Sequence, residues 1–283
     1  MGNNQITIPG IQQAKAEGRK LVMVTAYDYP FGLLADQAEV DLVLVGDSLG
    51  MVVMGLDGTV EVTMDHMIHH IKAVVRGCKG PLVIGDMPFM SYNTSIREAI
   101  HNAGRLMKEG GCDAIKLEGG IDFAPTIEAI VKAGIPVQGH IGLTPQTASA
   151  LGGFKMQGKD AAAAKQIIDD ARSLQSAGTF SIVLEAVPAP LGKLVSEAVD
   201  VPIIGIGAGP DVDGQVLVTH DMLGLFDKFM PKFVKQYTQL RTIILEAMTA
   251  YKKEVREGIF PAAEHSFKMP EETLAQLKKM IEE

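Results

Sequence analysis

The chain has 283 residues, of which 47% are hydrophobic and 21% charged, and its formal net charge is −8. This composition supports a large buried core and argues against a disordered chain. Since the charge is negative and no basic run reaches five residues, nucleic acid and anionic membrane surfaces are not expected partners. The length suits one large α/β barrel or two ordinary domains.

Targeting segments are not expected. The first ten residues, MGNNQITIPG, lack the charged and apolar regions of a signal peptide. No uninterrupted apolar run approaches the ~18 residues that span a bilayer. We therefore expect a cytoplasmic protein without membrane contact. Cys78 and Cys112 have no metal or redox spacing, so we expect two reduced structural thiols.

Predicted strands and helices alternate from residue 21 to residue 258, after a short helix over 7–19. The strands are expected at 21–25, 42–47, 81–86, 113–118, 135–140, 180–185, 202–206 and 216–219. Each is a short, mostly apolar run, as is typical of strands buried in a parallel sheet. Only GAGPDVDGQ separates the last two strands, whereas a parallel crossover normally needs about a dozen residues or more. Any helix between them must therefore be minimal.

The connecting helices follow from apolar periodicity and terminal signals. After a loop and helix in AYDYPFGLLADQAE, helices are expected at 59–76, 95–110, 125–133, 159–177, 192–199 and 231–258. Thr63 and Ser95 are the expected N-caps of two of them. The segment 269–283 is predicted to form a C-terminal helical tail. We therefore predict one α/β domain over 1–283, a (β/α)8 TIM barrel, with a doubly wound sheet as the alternative.

Five of the predicted strands end in polar or charged side chains. These are Asp47 with Ser48, Asp86, Lys116 with Glu118, His140, and Glu185. In a barrel all strand carboxyl ends meet at one face, which carries the active site. Clustered carboxylates repel one another, and a divalent cation would relieve that repulsion. Oxygen ligands favour Mg²⁺ over zinc, so these residues predict a magnesium site.

Structural alternatives exist for each of these residues. Asp47 or Asp86 alone could be a cap or turn residue. Lys116 and Glu118 lie two apart on one strand face and could simply stabilise each other. His140 could be a core histidine bonded to a backbone carbonyl as well as a catalytic group.

Glu185 is the candidate general base. It precedes the stiff segment AVPAP, which would shield it from water. Desolvation would raise the pKa of its carboxyl group, as a general base near neutral pH requires.

Two other motifs are interpreted as structural. GIGAG at 205–209 resembles a phosphate-binding loop, but it is not G-x-G-x-x-G and no Lys-Ser/Thr follows. We expect a tight turn or a backbone platform at the barrel mouth. His66, His69 and His70 lie among apolar residues of a predicted helix, so we expect solvated or packing roles.

Motifs from about Thr7 to Phe267 resemble those of the ketopantoate hydroxymethyltransferase family. They are VTAYDYPFG, LVLVGDSLGMVVMG, VIGDMPFMSY, AIKLEGG, VQGHIGLTPQ, VLEAVPA, IGIGAG, HDMLGLF and GIFPAAEHSF. The resemblance implies a barrel of the phosphoenolpyruvate/pyruvate type and a homodecamer. It also implies transfer of the one-carbon unit of 5,10-methylenetetrahydrofolate to 3-methyl-2-oxobutanoate, giving 2-dehydropantoate for pantothenate and coenzyme A biosynthesis. The segment after Met269 lies outside the resemblance.

The resemblance also assigns roles to the strand-end residues. Mg²⁺ would be bound by Asp47 and Asp86, with Glu118 associated directly or through water. The 2-oxo acid substrate would be bound by Asp47, Ser48, Asp86 and Lys116. Glu185 would be the proton acceptor in a Mg²⁺-assisted enolisation and aldol-type addition, and His140 would line the pocket. The folate would enter over the barrel rim.

Two other functions remain as alternatives. A lyase or mutase acting on a small 2-oxo acid could use the same barrel and Mg²⁺. Such enzymes typically place a reactive Cys motif on a mobile loop, and neither Cys78 nor Cys112 ends a predicted strand in such a motif. A binding protein without catalysis is the other alternative, and the presence of both Glu185 and Lys116 argues against it.

Overall fold

A computed structural model describes residues 5–150, 152–228 and 230–282. Its eight parallel strands form a closed barrel in chain order. They are β1 (Leu21–Thr25), β2 (Leu42–Val45), β3 (Leu82–Asp86), β4 (Ala114–Glu118), β5 (Val137–Gly142), β6 (Ser181–Glu185), β7 (Ile203–Ile206) and β8 (Gly214–Leu217). Strand β1 pairs with β8, with Met23 opposite Val216. This closure confirms the predicted barrel and excludes the open, doubly wound sheet.

Helices surround the barrel and extend beyond it. They are α1 (Ile8–Ala16), α2 (Tyr29–Gln37), α3 (Leu49–Val52), α4 (Met64–Gly77), α5 (Ile96–Arg105), α6 (Ala124–Lys132), α7 (Ala161–Ser176), α8 (Ala189–Ala198), α9 (Thr219–Met222), α10 (Leu240–Arg256) and α11 (Glu271–Glu282). A π-helical turn, Leu106–Gly110, continues α5. The predicted C-terminal helical tail is confirmed as α11. Within the described residues, no helix combines the length and the apolar character needed to cross a membrane.

The core has two layers because successive strand side chains point to opposite faces of the sheet. The inner layer fills the barrel with aliphatic side chains such as Leu42, Ile84 and Ile204. The outer layer lies between the strands and the helices and includes Val43 and Ile71. Cys78 and Cys112 are both free and buried, as expected for structural thiols.

Helix α1 closes the amino-terminal end of the barrel. Ile11 is fully buried against the inner layer. Lys15 Nζ donates to the carbonyl oxygens of Ser196 and Val199, at 2.8 and 2.9 Å, and forms an ion pair with Asp213 at 3.0 Å. These contacts seal one end, so ligands must enter from the opposite, carboxyl-terminal end.

The eighth strand begins two residues earlier than predicted, at Gly214 instead of Val216. The carboxylate of Asp213 accepts a hydrogen bond from the backbone N–H of Ile203 at 2.8 Å and so anchors the strand start beside β7. Gly214 also lies so close to β1 that a Cβ there would be 2.6 Å from the Leu21 carbonyl oxygen. The short connection contains no helix, in line with the expectation that any helix there must be minimal.

The long helix predicted over 231–258 is wrong at its start, because α10 begins at Leu240. The backbone N–H of Tyr237 donates to the Met222 carbonyl, and that of Leu240 to the Leu223 carbonyl, both at 2.8 Å. These bonds tie residues 231–239 to the segment around α9 and hold them over the carboxyl-terminal mouth of the barrel. The apolar periodicity of 231–239 therefore serves packing at the mouth and not helix formation.

The predicted N-caps are confirmed. The Thr63 hydroxyl accepts from the N–H of His66, and His66 Nδ1 accepts from the N–H of Thr63, both at 3.2 Å. This capping box fixes the start of α4. His70 Nδ1 donates to the Tyr27 carbonyl at 2.6 Å, so His66 and His70 have structural roles. Ser95 caps α5 through the N–H of Glu98.

A pair of glycine variants tests how tightly α8 packs on the barrel mouth. A Cβ at Gly192 would lie 2.0 Å from the Ala208 carbonyl oxygen, whereas a Cβ at Gly104 in α5 would meet no atom within 4 Å. Gly104→Ala should raise the free energy of unfolding by about 0.5–1 kcal/mol through helix propensity. Gly192→Ala should lower it by at least about 1 kcal/mol, because overpacking outweighs that gain. Urea unfolding of both variants measures the difference, and equal stabilisation would contradict the packing.

Candidate active site

Five strands deliver the predicted site residues to one cavity at the carboxyl-terminal end of the barrel. All seven line its wall: Asp47, Ser48, Asp86, Lys116, Glu118, His140 and Glu185. Asp47 and Ser48 directly follow β2, and the others come from the ends of β3 to β6. The closed barrel therefore brings together residues that are up to 138 positions apart in the chain.

Lys116 forms the central ion pair of the site. Its Nζ lies 2.7 Å from Asp86 Oδ1 and 3.8 Å from Glu118 Oε1, and all three side chains are at most 4% exposed. Burial alone would lower the pKa of Lys116, but the two carboxylates outweigh it and hold the pKa above its ordinary value. Lys116 is thus a buried cation whose closest partner is Asp86. The alternative in which Lys116 and Glu118 simply stabilise each other is therefore disfavoured.

Asp47 is a buried carboxyl group surrounded by negative charge. Burial raises its pKa well above the ordinary value, and the charges of Asp86 and Glu118 raise it further. Burial also raises the pKa of Asp86, although Lys116 opposes the rise. The backbone N–H of Asp47 donates to Asp86 Oδ2 at 3.2 Å, which places the Asp86 carboxylate against Asp47. This part of the cavity therefore has more negative charge than Lys116 alone balances.

His140 lies between two carboxylates. Its Nδ1 is 3.3 Å from Glu118 Oε1, and its Nε2 is 3.1 Å from Glu185 Oε2, although the ring is not aligned for linear hydrogen bonds. Burial and Lys116 would each lower the pKa of His140, but the two carboxylates raise it to about 9. His140 is therefore an imidazolium at neutral pH. Both ring nitrogens face carboxylates, which disfavours the alternative of a histidine bonded to a backbone carbonyl.

Glu118 is held in its ionised form. Burial would raise its pKa, but His140 and Lys116 outweigh burial and lower the pKa below its ordinary value. Its Oε2 accepts a hydrogen bond from the backbone N–H of Gln146 at 3.1 Å, and its Oε1 faces His140 and Lys116. Both oxygens of Glu118 thus have protein partners.

Sequence reasoning missed Gln146 and Tyr92. The Gln146 amide nitrogen donates to Asp47 Oδ2 at 2.8 Å and to the Met87 carbonyl at 2.9 Å. Its amide oxygen accepts from the Tyr92 hydroxyl at 2.7 Å. Gln146 therefore fixes the orientation of Asp47 and, through its backbone, that of Glu118. Both residues end quoted motifs, VQGHIGLTPQ and VIGDMPFMSY, and that was the only signal for them in the sequence.

Ser48 is oriented by a third missed residue, Tyr27. The two hydroxyl oxygens share a hydrogen bond at 2.8 Å. Tyr27 is fully buried, and burial raises the pKa of its hydroxyl well above the ordinary value. It therefore remains a neutral donor and acceptor beside Ser48.

The chemistry of the site fits Mg²⁺. Over the described residues, no group of three or more His, Cys, Asp or Glu side chains is arranged as a ready metal cluster. Mg²⁺ does not require one, since it is usually held by one or two carboxylates together with water and substrate. Asp47 and Asp86 provide two adjacent carboxyl groups, whose combined negative charge exceeds what Lys116 alone balances. Because both oxygens of Glu118 already have protein partners, Glu118 suits an association with the metal through water.

The outer part of the cavity is largely apolar. Its wall includes Met51, Val52, Pro145, Phe154, Val218, Phe226, Pro231, Phe233 and Val234, together with Asp221. Phe233 packs directly on Gly207, where a Cβ would lie 2.5 Å from the ring. Gly207 also has a φ of +67°, which favours glycine. GIGAG is thus a turn that supports the aromatic wall, in line with the predicted backbone platform.

Comparisons with solved structures identify the fold. Phosphonopyruvate hydrolase has a TM-score of 0.61 at 12% identity, covering 98% of this chain and 97% of the other. 2,3-Dimethylmalate lyase, described as a member of the PEP mutase/isocitrate lyase superfamily, has a TM-score of 0.59 at 15% identity and covers 97% and 95%. These likenesses confirm the (β/α)8 barrel fold.

Comparisons of sequence identify the family. The 3-methyl-2-oxobutanoate hydroxymethyltransferase of Moorella thermoacetica is 59% identical over 265 residues, which cover 94% of this chain and 98% of that protein. The enzyme of the same name from Acetivibrio thermocellus is 50% identical over 278 residues and 98% of both chains. A family model described as ketopantoate hydroxymethyltransferase matches residues 5–263. The chain therefore belongs to the ketopantoate hydroxymethyltransferase family of enzymes.

Proposed function

We propose that this cavity transfers the one-carbon unit of 5,10-methylenetetrahydrofolate to 3-methyl-2-oxobutanoate, giving 2-dehydropantoate for pantothenate biosynthesis, with Mg²⁺ as the metal. The curated relatives bear the name of this transferase. The observation that carries the proposal is a single cavity lined by paired carboxylates, a buried lysine and a carboxylate on the opposite wall. These are the groups that enolisation of a 2-oxo acid requires.

The anionic end of the substrate would be bound by Lys116 and Ser48. Lys116 is a buried cation in the cavity wall, and a buried charge interacts with a carboxylate more strongly than an exposed one. The Ser48 hydroxyl is oriented by Tyr27 and would donate to the same carboxylate. Two directional contacts would fix which face of C3 is presented to the base.

Mg²⁺ would be held by Asp47 and Asp86. When bound, it supplies Lewis-acid polarisation of the 2-oxo group, which acidifies the C3 proton. Gln146 keeps the Asp47 carboxylate in one orientation, and Lys116 does the same for Asp86. Glu118 and His140 complete the buried charge network beside them.

Glu185 would remove the C3 proton. It lies at the end of β6, which is four strands from β2 in a ring of eight and hence on the opposite wall from Asp47. Its side chain is 14% exposed, more than the nearly inaccessible Asp86, Lys116 and Glu118. Contact with His140 holds the carboxylate in place.

The bond changes balance with one water molecule. C3 loses its proton to Glu185 and forms a carbon–carbon bond to the methylene carbon of the folate. That carbon leaves both folate nitrogens and takes its hydroxyl group from water. The C3 proton and the remaining water proton end on the two nitrogens of tetrahydrofolate.

We also infer that the chain assembles with copies of itself, and the resemblance predicts ten. Helix α10 supports this inference, because none of its described side chains is buried. Met248, Tyr251 and Val255 follow one another at 3- or 4-residue steps and are 65%, 59% and 45% exposed. Such an apolar stripe is typical of a face that a partner covers. A cytoplasmic location stays a prediction.

Asp86→Asn tests the metal site. We choose Asn because alanine would leave Lys116 buried without its closest partner. The Mg²⁺-dependent exchange of the C3 proton for deuterium, followed by NMR without folate, should fall by at least about 100-fold. Calorimetric titration of Mg²⁺ should show weaker binding. Exchange at the unaltered rate would remove Asp86 from the metal site.

Glu185→Gln tests the base. The C3 exchange rate should fall by about 10²–10⁴-fold, since the amide cannot accept the proton. The affinity for 3-methyl-2-oxobutanoate, measured by calorimetry with Mg²⁺, should be retained. Glu197→Gln, at an exposed position of α8, is the matched control and should exchange normally. Normal exchange in Glu185→Gln would assign the base to another group.

Met248→Glu tests the apolar face of α10. A charge in a covered apolar face should weaken assembly by at least about 10-fold, because burial of the carboxylate is costly. Thr249→Glu places the same charge on the adjacent, exposed position of the helix and should assemble normally. Analytical ultracentrifugation over a concentration series measures both. Identical assembly of the two variants would show that this stripe is not an interface.

A further inference from the structure

The motif HDMLGLF, residues 220–226, has no role in the chemistry derived above. It begins three residues after the end of β8 and contributes Asp221 and Phe226 to the wall of the active-site cavity. The cavity therefore has a carboxyl group that neither the metal, the 2-oxo acid nor the base requires.

Neighbouring contacts fix the position of Asp221. The backbone N–H of Thr219 donates to the Thr25 hydroxyl at 2.9 Å, which anchors the start of α9 to the end of β1. The His220 ring packs against Tyr27 and Phe31, with centroids 5.2 and 5.3 Å apart. With His220 held in this aromatic cluster, Asp221 lies on the cavity side of α9.

The Asp221 carboxyl group is half-buried without compensation. Burial raises its pKa to about 6, and no neighbouring charge or hydrogen bond opposes the rise. Within the described parts of the chain, no side chain donates to it. A carboxylate that has lost water without gaining a protein donor is costly, and a ligand with N–H donors would offset the cost.

Aromatic and aliphatic side chains line the same cavity as Asp221. Phe226, Phe233 and Val234 line the same cavity, and Phe233 is supported from behind by Gly207. A flat heterocycle would bury its faces against such walls while its edge contacts the carboxylate. The small anionic 2-oxo acid has no N–H donor and would be repelled by Asp221.

We propose that Asp221 binds the 2-amino-4-oxo edge of the pterin ring of the folate donor, with Phe226 and Phe233 against the ring. This edge has two adjacent N–H donors, N3–H and the 2-amino group, which match the two oxygens of one carboxylate. Hydrogen bonds to an ionised acceptor are stronger than neutral ones. The inference rests on the proposed function, since it takes the co-substrate to be a reduced folate.

The first test measures two affinities of the full-length protein by calorimetry. Asp221→Asn should weaken tetrahydrofolate by about 10–100-fold, because the amide replaces an ionised acceptor with one neutral acceptor. The affinity for 3-methyl-2-oxobutanoate with Mg²⁺ should stay within twofold. Asp211→Asn, at an exposed position outside the cavity wall, is the matched control. Equal weakening of both ligands would overturn the assignment, as would unchanged tetrahydrofolate affinity.

The second test removes the donor from the ligand. Wild-type protein should bind 2-desamino-tetrahydrofolate about 10-fold more weakly than tetrahydrofolate. In Asp221→Asn the difference in affinity between the two ligands should be much smaller, because removing either partner of one contact already removes that contact, so the two losses do not add. Equal losses in both proteins would place the amino group elsewhere. If wild-type protein neither bound tetrahydrofolate nor used the methylene donor, the proposed function would fail. Binding and turnover unaffected by Asp221→Asn would reject this inference alone.

Discussion

The site depends on the balance of buried charge at the carboxyl-terminal end of the barrel. Lys116 and His140 are cations placed among carboxylates, and each has a raised pKa because the negative charges outweigh desolvation. The balance is incomplete around Asp47, whose pKa burial and neighbouring carboxylates raise. A protein gains no stability from that excess, because buried charges without partners are costly. Under the proposed function, a cation bound between Asp47 and Asp86 would offset this excess beside the 2-oxo group.

The closed sheet makes this arrangement possible. Strand order 1 to 8 puts β2 and β6 on opposite walls, so Asp47 and Glu185 line one cavity from different sides. Helix α1 and its Lys15 seal the other end, which leaves one entrance. In a substrate bound between these walls, the 2-oxo oxygen would face the end of β2 and the acidic C3 proton would face the end of β6. Separation of the two roles keeps the base from being neutralised by the metal.

The strand ends were predictable because the signal is local in the sequence. An apolar run marks a buried strand, and the charged residue that follows it marks the point where the strand leaves the core. Contacts between loops were not, and Gln146 shows why. Its partners Asp47 and Tyr92 are far away in sequence, and only the barrel brings their segments together. The start of α10 was mispredicted for a similar reason. Residues 231–239 have helical periodicity, yet their backbone N–H groups donate to the segment around α9.

The cavity thus has two environments with different recognition chemistry. Its floor is charged and built by strand ends, which suits a small, doubly polar oxo acid. Its mouth is largely apolar and built by the segments after β2, β5 and β8, and it includes the carboxylic residue Asp221. A floor closed at one end can be reached only through the mouth, so a large co-substrate seated there would cover a small substrate bound first. Water would then be excluded from the floor during proton removal, which strengthens the electrostatic interactions on which Lys116 and Asp86 depend.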